Sequence, residues 1–156
     1  MTDFAALLRA LIEGRVAFIL IGGVAATVHG SARLTRDVDV IYDRSPHNID
    51  ALARAVTPLH PYLRGAPPGL PFTFDVATVT AGLNFTLKTD LGDIDLLGEV
   101  LGVGGYADAV QASTGMAVHG LEVRVLDLDG LARAKRAAGR VKDLLDLAEI
   151  AELKKR

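Results

Sequence analysis

Apolar residues recur along this chain with two periods, and the switches between them mark out the elements. Phe4, Leu7, Leu8, Leu11 and Ile12 repeat at helical spacing, with Asp3 placed to cap the first turn and Gly14 to end the helix. Val16 to Ile21 is continuously apolar, the pattern of a strand buried on both faces. Val24 to His29 reads as a short helix stopped at Gly30, and Val38 to Tyr42 as the next strand. Ser45 and Pro46 are an N-cap and a first helical proline, and Ile49, Leu52, Ala53 and Val56 form that helix's apolar stripe. Residues 58–71 hold five of the six prolines and read as a loop, either a surface connection or a flank of an active site.

Asn84 to Lys88 and Ile94 to Leu97 are strand-like and are joined by the turn-like Thr89-Asp90-Leu91-Gly92, which makes a hairpin. Gly102 to Gly105 lacks the context of a dinucleotide fingerprint and reads as a loop. A short helix over Tyr106–Ala112 and a strand over Leu121–Leu126 follow. Asp127 then caps a helix running from Leu128 to Ala138. Gly139 interrupts it, and Val141 to Leu153 forms the last helix, with Leu144, Leu145, Ala148 and Leu153 facing inward. Helices alternating with strands predict an α/β fold with a small mixed sheet, flanked by helices and completed by C-terminal helices.

Composition narrows the class. The chain has 156 residues and no internal repeat, so a single domain over residues 1–156 is expected. Half of its residues are hydrophobic, enough for a real core. It has no run of about twenty apolar residues to span a membrane and no leader pattern, so a cytoplasmic protein is the simplest expectation. The absence of cysteine excludes disulfides, thiolate metal sites and a cysteine nucleophile. A net charge of −2 does not advertise nucleic-acid binding, although a local basic patch on a near-neutral protein can still hold phosphates.

The chemistry concentrates between Gly22 and Val40. Asp37 and Asp39 are two apart in a strand, so their carboxylates share one face and repel. A divalent cation such as Mg²⁺ relieves that repulsion and takes substrate phosphates as further ligands. Gly22 and Gly23 lie at a strand-to-helix turn, where backbone N–H groups attract anions and glycine permits close approach. A tight structural turn is the other reading of the pair. Arg33 and Arg36 precede the acidic strand, and the planar fork of arginine suits phosphate. Lys135 falls on the Leu128, Leu131, Ala132, Ala138 stripe, so its ammonium needs an anion; a triphosphate or Asp143 would serve. His29, His47, His60 and His119 have no ligand spacing and read as structural or exposed.

The order of glycine pair, short helix and Asp-x-Asp resembles the signature of nucleotidyltransferases of the DNA polymerase β superfamily. Arg33-x-Thr35-x-Asp37-x-Asp39 and the stretch from Lys135 to Asp143 are similar to the small bacterial branch that includes the transferase toxins of toxin–antitoxin pairs. The resemblance implies a nucleotidyltransferase fold and a third carboxylate, which Asp95 supplies, with Asp93 as its neighbour on the same face. It implies Mg²⁺ or Mn²⁺ held by Asp37, Asp39 and Asp95. It also implies a nucleoside triphosphate such as ATP held at Gly22, Gly23, Arg33, Arg36 and Lys135, and transfer of its nucleoside monophosphate to a hydroxyl. The second glycine position is often Ser in the superfamily; Gly23 leaves only backbone donors there. A tRNA 3′ end or a protein is the favoured acceptor and an antitoxin a possible partner. The alternatives are a small-molecule acceptor such as an antibiotic, and a catalytically idle binding protein.

Overall fold

The β-branched and aliphatic runs come together in one seven-stranded mixed sheet, in the order β3 (Tyr62–Leu63), β4 (Asn84–Thr89), β5 (Gly92–Leu97), β2 (Asp37–Tyr42), β1 (Phe18–Ile21), β7 (Leu121–Leu126), β6 (Ser113–Val118). The computed structural model describes all 156 residues, Met1–Arg156. At the sheet's centre β1 (Phe18–Ile21) runs antiparallel to β2 (Asp37–Tyr42) and parallel to β7 (Leu121–Leu126), while β2 runs parallel to β5 (Gly92–Leu97). The expected hairpin forms, with β4 (Asn84–Thr89) antiparallel to β5 in a register that pairs Thr89 with Gly92. Two edge strands escape the sequence pattern. β3 (Tyr62–Leu63) is a two-residue strand inside the proline-rich segment, and β6 (Ser113–Val118) pairs with β7. β6 buries only Val118, so it carries no apolar alternation to detect.

Helix α1 (Phe4–Glu13) packs across β2 and β5, with Asp3 accepting from the Ala6 N–H. It meets α3 (Pro46–Val56), which is capped by Ser45 and has Pro46 in its first turn. Asn48 of α3 is buried; its amide oxygen accepts from the Ala17 N–H and its nitrogen donates to the Ala17 and Asp43 carbonyls, which ties α3 to the β1 and β2 ends. A helix not foreseen, α4 (Val76–Ala81), is capped by Asp75 and adds Val79 to the core. α2 (Gly22–Val28) starts at the glycine pair itself, and α5 (Tyr106–Gln111) contacts β1, β2, β6 and β7. α6 (Leu128–Ala138) is capped by Asp127 and ended by Gly139 in the left-handed region, and it packs on α7 (Val141–Lys154).

Sheet and helices share one contiguous core of 33 buried residues. Each fully buried Leu or Ile in it contributes roughly 1.5–3 kcal/mol. The sequence expectation for α7 holds at Leu153 and needs correction elsewhere: Leu144 (63% exposed), Leu145 (61%) and Ala148 point outward, and Asp143 and Ile150 are buried alongside Leu153. The helix turns its acidic side inward because cations wait there, as the site shows. No helix is long and apolar enough to cross a membrane.

Candidate active site

Period-two geometry and the parallel β2–β5 register build an acidic face. Asp37 lies opposite Asp93 and Asp39 opposite Asp95. The intervening Val38, Ile94, Val40 and Leu96 point to the other face and are completely buried. Four carboxylates therefore project from two neighbouring strands whose backs are anchored in the core. Ligand oxygens of Asp37, Asp39 and Asp95 all lie within 4.8 Å of one another. Asp93 is on the same face but outside that trio.

The electrostatics follow from this crowding. Burial, then the hydrogen bond to Asp95 and the charges of Asp95 and Asp37, push the Asp39 carboxyl up to about 8. Burial also raises Asp37, and the Arg64 guanidinium opposes it. Three half-buried carboxylates on rigid strands are a hard oxygen donor set, which fits a divalent cation such as Mg²⁺ or Mn²⁺.

The glycine pair presses directly on this cluster. Gly22 has φ +70°, and a methyl group built on it would stand 2.0 Å from Asp39 Oδ2, so any side chain there would drive into the carboxylate. A methyl on Gly23 would stand 2.5 Å from Thr35 Oγ1. Thr35 thus fills the space that a side chain at position 23 would need.

On the far side of the glycine turn is a cavity of about 250 Å³ bounded by Gly22, Gly23, Arg33, Thr35, Lys135 and Lys142, among others. A second cavity, about 190 Å³, shares Gly22 and Lys135 with it and reaches Asp39 and Arg140. Of the two anions foreseen for Lys135, Asp143 is present at 3.6 Å, with Asp146 nearer at 3.0 Å. Arg33 pairs with Asp146 at 2.6 Å, and Ser31 donates to Glu149, so the loop before β2 is fastened to α7. Arg140 grips Asp143 through Nε at 2.8 Å; that hydrogen bond, against burial and aided by the Arg140 N–H and charge, holds the Asp143 carboxyl at about 2. Arg36 is exposed beside Asp37. His29 serves structure, with Nε2 2.9 Å from the Leu126 carbonyl.

Sequence reasoning missed Arg64. It leaves β3 at the sheet edge and reaches back to the acidic face, with Nη2 2.5 Å from Asp95 Oδ1 and 3.7 Å from Asp37 Oδ2, and Nη1 3.8 Å from Asp93 Oδ2. Nothing in its local pattern marks it; only the pairing of β3 on β4 brings it there.

No protein-family model and no curated protein matches the chain. Among solved structures it resembles a candidate nucleotidyltransferase from Thermotoga maritima at 16% identity, over 100% of this chain and 97% of that one, with a TM-score of 0.60. It also resembles the antibiotic-resistance factor ANT(2'')-Ia in solution at 15% identity, over 94% of this chain and 79% of that one, with a TM-score of 0.57. A crystal structure of ANT(2'')-Ia with adenylyl-2''-tobramycin aligns at 14% identity over 94% and 93% of the two chains, with a TM-score of 0.50. At such identities the likeness concerns the fold: the chain has the mixed α/β nucleotidyltransferase fold.

Proposed function

We propose that this protein transfers a nucleoside monophosphate from a nucleoside triphosphate to a hydroxyl acceptor and releases pyrophosphate. The observation that carries this reading is the convergence of Asp37, Asp39 and Asp95 within 4.8 Å, on the strand ends that face the Gly22–Gly23 turn. The three carboxylates would hold Mg²⁺ or Mn²⁺, which when bound offsets phosphate charge and makes the attacking hydroxyl more acidic. The acceptor oxygen bonds to the α-phosphorus in line, and the bond from that phosphorus to the oxygen bridging to the β-phosphate breaks. The hydroxyl proton passes to Asp95 or to solvent. The Gly22–Gly23 turn, Arg33 and Lys135 border the space for the triphosphate, Arg36 lies exposed beside Asp37, and their part would be positioning and charge neutralisation.

A tRNA 3′ end or a protein hydroxyl is the favoured acceptor, supported by the Arg33-x-Thr35-x-Asp37-x-Asp39 resemblance to transferase toxins. An antitoxin partner, ATP as donor and a cytoplasmic setting belong to the same reading. A small-molecule acceptor is the second reading, supported by the fold likeness to ANT(2'')-Ia. To test both, the protein is incubated with each α-labelled nucleoside triphosphate, Mg²⁺ and, separately, total RNA, cell protein or an aminoglycoside. Label is expected in one acceptor class, with Asp39→Asn inactive. Label in no acceptor, or equal transfer by the variant, would sink the proposal.

A further inference from the structure

The largest positive influence on the acidic face belongs to the chain itself. β3 lies at the sheet edge with Tyr62 opposite Lys88 and Leu63 opposite Leu87, and the Arg64 N–H donates to the Thr86 carbonyl. Thr86 in turn lies opposite Asp95. Arg64 is therefore level with Asp95, and its side chain crosses β4 to meet it. Nη1 donates to the Leu87 carbonyl at 3.3 Å, which steadies the fork. Nη2 lies within reach of Asp95 (2.5 Å) and Asp37 (3.7 Å), which are on different strands and are both members of the trio. A residue that merely propped one carboxylate would stand behind it. Arg64 instead reaches both carboxylates with one nitrogen, from a side chain only 25% exposed.

We propose that Arg64 is a resident counter-cation: it holds the acidic trio together until a divalent cation arrives, and it must release Asp95 for that cation to bind. This rests on the metal-site reading above. Two cations drawn to the same oxygens repel, so the Arg64 contact belongs to the metal-free state. An interaction made in one state of an equilibrium opposes conversion to the other by its own free energy. Removing the guanidinium therefore destabilises the metal-free protein and tightens metal binding together. A purely structural contact would do the first without the second.

The test uses Arg64→Gln and Arg64→Lys, with Mn²⁺ alone titrated by calorimetry and melting followed in EDTA. Arg64→Gln is expected to melt below wild type in EDTA and to bind Mn²⁺ roughly tenfold more tightly, the scale of one charged hydrogen bond. Arg64→Lys keeps the charge but loses the fork and should fall between them; if Arg64→Gln does not fold, this variant carries the test with the same sign. Wild type that binds Mn²⁺ while the variants bind equally or more weakly overturns the proposal and leaves the metal site standing. No Mn²⁺ binding by any of the three overturns the metal-site reading, and this proposal with it.

Discussion

Asp39 shows how one residue's chemistry depends on its surroundings. Its usual carboxyl value of 3.8 is raised to about 8, chiefly by burial and then by Asp95 and Asp37. The metal-free native state therefore keeps a proton that the unfolded chain has lost. Its stabilising effect is full below about 4 and fades as pH rises through about 8. Asp39→Asn carries a neutral amide at every pH and is expected to flatten that decline. In EDTA it should melt with wild type at pH 4 and increasingly above it as pH rises to 9, as thermal scans would show. Mn²⁺ must displace the proton, so its affinity for wild type should climb roughly tenfold per pH unit below about 8, while the variant binds weakly throughout. A variant that melted lower at every pH would mark Asp39 as a turn-forming residue.

At the scale of the element, α7 is the informative case. Counting apolar positions turns Leu144, Leu145, Ala148 and Leu153 inward, yet of these the helix buries only Leu153, together with Asp143 and Ile150, and rests Leu147 on the core. The deciding contacts are ionic: Asp143 takes Arg140 and Lys135, Asp146 takes Lys135 and Arg33, and Glu149 takes the Ser31 hydroxyl. These five polar ties outweigh an apolar stripe whose members lose little by staying wet. Replacing Leu144 or Leu145 by Gln should thus change stability by less than about 0.5 kcal/mol. Ile150→Ala should cost about 2–5 kcal/mol, because it empties a packed site. Urea unfolding of the three variants checks the rotation; a large loss at Leu144 or Leu145 would mean that this face is covered.

Across the whole molecule, the candidate site joins two constructions. One is the sheet half made of β2 and β5, which presents the carboxylates. The other is the α6–α7 pair, which closes the cavity lined by Arg33, Lys135, Lys142, Asp146 and Glu149 against the glycine turn and is latched to the loop before β2. Asp143, fully buried at the start of α7, ties that helix to its own cap residue Arg140 and to Lys135 of α6. Arg140 first, with help from Lys135, depresses its carboxyl from 3.8 to about 2. The stability it adds is present above about 4 and is lost as pH falls through about 2. Asp143→Asn should melt lower at neutral pH, lose less than wild type between pH 4 and pH 2, and bind nucleotide more weakly as Lys135 and Arg140 lose their anchor. Calorimetric melting across pH, with nucleotide titrations at pH 7, reads all three effects.

What the sequence determined by itself was local. Period two put Asp37 with Asp39, and Asp93 with Asp95, on common faces. The caps at Asp3, Ser45 and Asp127 and the stop at Gly139 were legible because each acts within one turn of its own residue. What tertiary structure alone decided were encounters between distant segments. The parallel register set Asp39 beside Asp95; a two-residue edge strand carried Arg64 to a carboxylate 31 positions away; and scattered cations rotated α7. No local pattern encodes such meetings, because each depends on how separate elements share a surface once the core has closed. The edge strands β3 and β6 were hidden for the same reason: they are strands by virtue of the neighbour that offers them hydrogen bonds.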